Sequence, residues 1–484
     1  MPPSNYIHTR KLSIEPPNIN NQYFSKVVDS HPYFPNLSVT ATDENSVKHA
    51  ALVLVYSSLI LVRNKNDKGE IDDEIEHLKK INDFIAANLE SAMSQLSCTK
   101  VTGGITNALF RVSGFVETLK ALSKEEAPPS FNSVLVRIFG AEGMIDRDIE
   151  TSTYAALCNA GIAYKYMGRF SNGRIEGWLD GYHPLSNSDL NDEHLALEIA
   201  KEMARLHCLF QVPEGELRDH HCGTSSSSEL DGISVGLWDQ LNSWMEQAKG
   251  YTEFKTGDDT ERVRVLQLDK IEMEVQTIIQ SFTTGKGEES DSGDSTASIC
   301  GSSKKPNVVF CHNDLLPANI MRHPTTGHVQ LIDFEYGGSN YAAFDMANHF
   351  NEYAGGTTTK ENGVPDYTRF PNSERQTKFC VEYVKMTKRL ESMRSDITDQ
   401  ADYGNDGTEM SVVEDNDDDD EGIMNEAIQL LSHVQKFILV NHLYWGLWAV
   451  NQAAEEGCEE FDYLTFASNR FNEYHVKKSE WEEK

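Results

Sequence analysis

The stretch from Val308 to Glu352 constrains this chain more than any other, because it holds two apolar runs that each end in a polar, acidic turn. Val308-Val309-Phe310 leads into His312-Asn313-Asp314, and Asn319 follows. Val329-Gln330-Leu331-Ile332 then ends at Asp333-Phe334-Glu335. Short β-branched runs punctuated by turn residues predict a strand, a loop, a hairpin and a second acidic turn.

The spacing has a chemical reason. Phosphoryl transfer needs a carboxylate near the attacking hydroxyl and oxygen ligands for magnesium on the nucleotide phosphates. A loop of the form H-x-D-x-x-x-x-N supplies both. Asp314 is the candidate base, and Asn319 and Asp333 are the candidate magnesium ligands, since magnesium favours a few hard oxygen donors. His312 is expected to brace the loop rather than transfer protons. Taken singly, each residue also suits an ordinary turn or cap; it is the joint pattern that points to a nucleotide-dependent phosphotransferase.

The 484 residues suffice for two lobes. With 39% hydrophobic residues spread throughout, most of the chain should fold. A net charge of −33 argues against nucleic acid or an anionic membrane as partner. Much of that charge is local: residues 395–421 carry 12 acidic and no basic side chains, as a solvated insert would. Eight cysteines without a C-x-x-C pair, and no secretory signal, read as reduced thiols of a cytoplasmic protein. Cys311 beside the loop is expected to be a small buried apolar residue. The apolar run Leu52 to Val62 is about half of a membrane span.

Along the chain, residues 1–48 read as a flexible extension and 49–186 as an N-terminal nucleotide-binding lobe, with 187–484 as a catalytic and substrate lobe. Residues 283–305 and 395–421 read as disordered inserts. Helical periodicity is expected over 47–97, 146–158, 195–206, 236–279 in two pieces, 379–390, 426–454 and 460–474. Strands are expected in pairs around a glycine turn over 101–116, at 134–139, and twice within 161–180.

In the first lobe, Gly103, Gly104, Thr106 and Asn107 form a turn that permits close backbone approach to phosphates, although a plain hairpin accounts for it equally well. Arg137 is a cation inside an apolar strand; the phosphates and Glu150 on the following helix are its two candidate partners, and snorkelling to solvent is the alternative. Backbone groups at Gly177 and Leu179 are positioned to meet adenine. In the second lobe, Trp445 and Trp448 share a helical face with a capacity for cation–π contact, though such stripes are usually core. Glu352 offers negative charge to a cationic acceptor, whereas Asp345 reads as a brace.

TGGITNALF, VLVRIFG, DRDIE, GRIEGWL, HNDLLPANIM, LIDFEYGGSNYAAFDMANHFNEYAGG, HLYWGLWAVNQA and FDYL…RFNEY together resemble the choline/ethanolamine kinase family, most of all its ethanolamine kinases. The resemblance runs from Val101 to Tyr474. It implies an α+β, two-lobed protein-kinase-like fold, with a small N-terminal lobe of antiparallel sheet plus helix and a larger, mainly helical C-terminal lobe. It implies ATP-dependent phosphorylation of ethanolamine, the first step of the ethanolamine branch of phospholipid synthesis, with ATP and Mg2+ as cofactors. It makes Asp314 the base, Asn319 and Asp333 metal ligands, Glu335 a neighbour of the metal, and Arg137 with Glu150 the phosphate-side pair. Tyr336, Glu352, Trp445, Trp448 and Phe461 line the acceptor pocket on this likeness. Leu316, where choline kinases commonly carry Gln, and Phe466, in place of a common Tyr, lean towards ethanolamine; choline or dual activity is the alternative, and a homodimer is admitted. An aminoglycoside-type or protein-directed phosphotransferase would share the loop, but no A-P-E-like segment follows Asp333. A non-catalytic scaffold is opposed by the intact Asp314, Asn319 and Asp333.

Overall fold

The computed structural model describes residues 27–66, 89–101, 107–122, 131–140, 147–210, 236–283, 306–356, 364–402, 420–459 and 461–483. Contacts divide the chain into two units, Met1–Tyr182 and His183–Lys484, where the sequence pattern set the boundary after residue 186.

The first unit contains β1 (Tyr33–Phe34), α1 (Glu44–Asn66), β2 (Ser97–Val101), β3 (Asn107–Ser113), α2 (Phe115–Leu122), β4 (Ser133–Phe139), α3 (Arg147–Asn159), β5 (Tyr166–Phe170) and β6 (Gly173–Gly177). They form one sheet in the order β1-β5-β6-β4-β3-β2. Only β1 and β5 run parallel; the other pairs are antiparallel. Alternation decides what each face does. Val134, Val136 and Ile138 of β4 join Val112, Ile175 and the α1 residues Leu52, Leu54 and Val55 in a single core. Leu135 and Arg137 point the other way.

The 1–48 extension is corrected in part. Residues 1–26 lie outside the described residues, but Phe34, Leu37 and Val39 are buried in the core of the sheet. A two-residue strand carries no periodicity, so the sequence did not advertise it. Gly168, at φ +134°, makes the pairing with β5 possible, because a Cβ there would stand 2.6 Å from the Pro32 carbonyl oxygen. The glycine turn with Gly103, Gly104 and Thr106 also lies outside the described residues.

The second unit is mainly helical: β7 (His183–Pro184), α4 (Glu193–Leu209), α5 (Leu237–Gly250), α6 (Gly257–Leu266), α7 (Leu268–Thr283), β8 (Val308–Cys311), β9 (Ile320–Arg322), β10 (Val329–Leu331), β11 (Gly338–Tyr341), α8 (Ala342–Asn351), α9 (Ser373–Asp402), α10 (Asp420–Glu455) and α11 (Tyr463–Glu482). The stretch expected as two helical pieces forms three, α5 to α7. The inserts shrink as well. Thr283 closes α7, residues to Asp402 continue α9, and α10 starts at Asp420; residues 284–305 and 403–419 lie outside the described residues. β9 and β10 form the hairpin after the loop, and β8 pairs with β11. α10 packs on α11, α8, α9 and α5. It approaches α11 closely because residue 446 is glycine: any Cβ there would collide with the Phe471 ring. Among the described residues no helix is long and apolar enough to cross a membrane.

Candidate active site

The 312–314 loop is held by one face of α8. Asp345, Asn348, His349 and Glu352 are spaced three, four and seven residues from the first, which places them on one side of the helix and its terminal turn. Asp345 is fully buried and accepts from the backbone N–H of His312 and of Asn313, each at 2.7 Å. Asn348 accepts from Leu315 N–H at 2.6 Å, and His349 Nδ1 meets Leu315 C=O at 3.2 Å. The backbone on both sides of Asp314 is thereby fixed by side chains from a single helix.

Asp345 also meets His207 of α4 at 3.1 Å, and His207 Nδ1 lies 2.9 Å from the Tyr383 hydroxyl of α9. Burial alone would raise the Asp345 carboxyl's proton affinity, but His207, by hydrogen bond and charge, and His312 bring it below the ordinary carboxylate range. His207, Cys311 and Asp345 come together in a geometry that ligates metals elsewhere. Here each has hydrogen-bonding work instead, Cys311 donating to Tyr341 C=O at 3.4 Å, so the trio braces the loop. Burial pushes the Cys311 thiol well up, as expected of an inert packed cysteine.

His312 Nε2 lies 2.8 Å from Ile332 C=O, which ties the loop to the second acidic turn. Asn319 tightens the same link: its carbonyl accepts from Ile332 N–H at 3.0 Å. Its side-chain N–H2 donates to Asp314 O at 2.9 Å and to Asp314 Oδ2 at 3.1 Å, which turns Oδ1 the other way, free to serve as a ligand. Both turns carry a residue in the left-handed region, Asn313 at φ 66° and Asp333 at φ 64°. Asn and Asp tolerate that region better than other side chains do, and such strain collects at functional sites. Asn313 is pinned there by Tyr336 C=O, to which it donates at 2.8 Å, and by Asn340, whose amide donates to it at 2.8 Å.

Asp314 has its proton affinity raised well above that of a free aspartate, first by burial and then by the charges of Glu352, Asp333 and Glu335; the hydrogen bond from Asn319 opposes them. A carboxylate so poised is a stronger base than one in water. The mutual repulsion of four carboxylates is also what a divalent cation relieves. Carboxylate and amide oxygens at Asp333 and Asn319 fit magnesium as a donor set.

Aromatic rings pack edge to face next to these carboxylates. Tyr336 meets Trp445 at 5.3 Å, Trp445 meets Trp448 at 5.3 Å, and Trp448 meets Tyr463 at 5.6 Å and Phe466 at 6.3 Å. Phe461 joins through Tyr463 at 4.9 Å and Phe466 at 5.9 Å. The residues named from sequence are thus brought together, with Tyr463 and Phe466 completing the cluster. Glu352 is buried, and Arg470 of α11 donates to its Oε1 at 2.6 Å. Its Oε2 is buried with no hydrogen-bond partner. Sequence reasoning missed Arg470, although it stands in the RFNEY segment four residues after Phe466, on the same helical face.

In the first unit the Arg137–Glu150 pair is part of a wider network. Arg137 donates to Glu176 at 2.8 Å, Arg174 joins Glu176 at 2.7 Å and Glu150 at 2.8 Å, and Arg147 donates to Glu150 at 2.8 Å. The cause is register: Arg137 lies opposite Arg174 across the β4–β6 ladder, and Glu176, two residues on, shares their face. Burial would raise the Glu150 carboxyl, but Arg174, Arg137 and Arg147 outweigh it and bring it to about 2. Glu176 is likewise held low, by Arg137 and Arg174 against burial. Arg137, Arg147 and Arg174 thus share Glu150 and Glu176 within one network. The missed residues, Arg174 and Glu176, were visible as charges at alternate positions of GRIEG. Asn107 is buried at the start of β3. Gly177 donates its N–H to Lys165 C=O at 2.8 Å, and Leu179 C=O accepts from Tyr182 at 3.3 Å. Gly177 has no room for a side chain because Tyr164 packs against it.

The family model described as "Choline/ethanolamine kinase" matches residues 98–475. "Probable ethanolamine kinase" of Arabidopsis thaliana is 29% identical over 387 residues, covering 80% of this chain and 80% of its own. "Probable choline kinase 2" of the same plant is 28% identical over 387 residues, covering 79% and 86%. "Ethanolamine kinase 1" of Mus musculus is 29% identical over 349 residues, covering 72% and 77%. Among solved structures, Plasmodium vivax ethanolamine kinase matches with a TM-score of 0.56 at 21% identity, covering 87% of this chain and 95% of that one. The choline kinase of Cryptosporidium parvum matches with a TM-score of 0.54 at 24% identity, covering 80% and 90%. These structures show the fold: protein-kinase-like α+β, with a small sheet-bearing part and a mainly helical remainder.

Proposed function

The chain belongs to the choline/ethanolamine kinase family, and from that premise we propose that it transfers the γ-phosphoryl group of ATP to the hydroxyl of ethanolamine, giving phosphoethanolamine and ADP. One observation carries the choice of acceptor: Glu352 Oε2 is buried, without a hydrogen-bond partner, in a residue whose charge acts on Asp314. A buried acceptor oxygen left unpaired costs about 1–3 kcal/mol, and an ammonium N–H satisfies it. Ethanolamine has three such donors and choline none.

In this reading Asp314 orients the hydroxyl and takes its proton as the new O–P bond forms and the bond to the ADP oxygen breaks. The raised proton affinity of Asp314 suits that task. Tyr336, Trp445, Trp448 and Phe461 enclose the ammonium with ring faces and exclude water. Asn319 Oδ1 and the Asp333 carboxylate would hold magnesium, with Glu335 as a nearby carboxylate; when bound, the ion would supply neutralising charge to the phosphates. On the nucleotide side, the guanidiniums of Arg137, Arg147 and Arg174 are the candidate phosphate partners, with Glu150 and Glu176 fixing their positions. Gly103, Gly104, Thr106 and Asn107 serve as the phosphate-approaching turn, and the segment from Gly177 to Leu179 as the adenine side.

Choline is the second reading, favoured by the ring cluster, since a quaternary ammonium binds aromatic faces without donating a hydrogen bond. Phosphorus NMR of the purified protein with ATP, magnesium and ethanolamine tests the proposal. A new phosphomonoester signal that depends on both ethanolamine and protein is the expected result; ATP left intact, or consumed equally without an amino alcohol, refutes it.

A further inference from the structure

We propose that Arg470 is a positioning residue of the acceptor site, occupying Oε1 of Glu352 so that the carboxylate offers a single oxygen, Oε2, to one N–H of the substrate. The inference rests on the acceptor reading above and deepens it.

The geometry is that of a built pair. Arg470 and Glu352 are 5% and 3% exposed, which leaves water little part in the interaction. Their contact is 2.6 Å. The guanidinium lies over the Phe466 ring, 5.1 Å from its centroid, and Phe466 in turn packs near Trp448 and Phe461. Arg470 therefore links the carboxylate to the aromatic wall. The pair also balances charge, so cation binding relies on one directed hydrogen bond and on ring faces rather than on a bare anion.

Among the described residues, Arg470 is the counter-charge that acts on Glu352. From the 312–314 loop comes Asp314, a like charge. From the short helix Tyr367–Arg369 comes Tyr367, whose hydroxyl is pushed up to about 12 by burial and is neutral. From α10 comes His442, fully buried with both ring nitrogens lacking partners, and held neutral by burial and by the charges of Arg470 and Lys477. From α11 comes Glu473, a carboxylate near Tyr367 that pairs with Lys477. Burial pushes the Glu352 carboxyl up, and Arg470 is what opposes it. Removing Arg470 raises the carboxyl's proton affinity further, and a protonated Glu352 offers the substrate a poorer acceptor.

The test is the pH dependence of kcat/KM for ethanolamine in wild type, Arg470→Met, Arg470→Lys and Glu352→Gln, over roughly pH 5.5 to 9. In Arg470→Met the acid limb is expected to move up by about one pH unit or more, with KM changing more than kcat. Arg470→Lys should restore part of the shift. An Arg470→Met profile superimposable on wild type overturns the inference. If Arg470→Met fails to fold, the charge-neutral double variant Arg470→Met/Glu352→Gln is compared with Glu352→Gln alone. Matching profiles support action through Glu352, and a further drop of about tenfold or more in kcat/KM overturns it. A wild-type enzyme with no ethanolamine turnover would sink the acceptor reading itself, a result separate from an unmoved limb in an active enzyme.

Discussion

Asp345→Asn is the substitution that most directly probes how the loop is held. It preserves shape and removes charge. The carboxylate accepts from three donors, His312 N, Asn313 N and His207 Nε2, at 2.7, 2.7 and 3.1 Å. An asparagine offers one acceptor oxygen, and its NH2 must face one of the two loop N–H groups. That N–H is left unsatisfied, at about 1–3 kcal/mol, while the surviving bond falls from the charge-assisted range to the neutral one, a loss of about 1 kcal/mol. With the His207 partner also disrupted, the expected destabilisation is about 3–5 kcal/mol. For a unit of this size the melting temperature drops by roughly 6–15 °C. The peptides that lose their anchor are those entering His312 and Asn313, directly before Asp314, so kcat should fall about a hundredfold, while KM for the amino alcohol changes little. Thermal unfolding followed by near-UV circular dichroism, with steady-state kinetics on the folded fraction, measures both. His207→Ala is the internal comparison: it leaves both amide bonds in place and should cost less on each axis. An Asp345→Asn protein within about 1 kcal/mol of wild type and with unchanged kcat would refute the reasoning.

Asp333→Asn retains a residue suited to φ 64° but halves its oxygen donors, so turnover should fall by about a hundredfold or more with the melting temperature of the nucleotide-free protein unmoved; full activity would contradict the metal assignment. Asn348→Ala leaves the Leu315 N–H without its 2.6 Å partner, and denaturant unfolding should show a loss of about 1–3 kcal/mol together with a lower kcat. Glu150 holds its proton far more weakly in the folded chain, at about 2, than its ordinary 4.5. Its contribution to stability is complete above the unfolded value and is lost as pH falls from 4.5 towards 2. Stability measured against pH should therefore slope less steeply across that window in Glu150→Gln; an unchanged slope would place the acid sensitivity elsewhere.

The elements around the 312–314 loop were legible because their signals are local. The H-x-D-x-x-x-x-N spacing, the apolar runs on either side and the DFE turn all report on backbone a few residues away. The aromatic face of α10 was legible for the same reason. What escaped was non-local or short. β1 is two residues long and pairs with a strand 136 positions further on, Tyr33 opposite Arg169, so no pattern marks it. Glu352 was singled out for a cationic acceptor, but its partner Arg470 lies 118 residues away and alone reads as an ordinary surface charge. The Arg137 pairing was incomplete because the helix Glu was weighed and the facing strand was not. The alternation Arg174-Ile175-Glu176 carried the information, and only the β4–β6 register shows that it lies opposite Arg137.

The acceptor assignment stands on one oxygen, Glu352 Oε2, and the N-methylation series tests it. Initial rates are measured with ATP and ethanolamine, its N-methyl and N,N-dimethyl derivatives, and choline. One acceptor oxygen requires one N–H, so kcat/KM should hold across the first three and drop about tenfold or more at choline, where the last N–H is gone, and Glu352→Gln should flatten that step. A rate that rises steadily towards choline, or a step that survives Glu352→Gln, would contradict it.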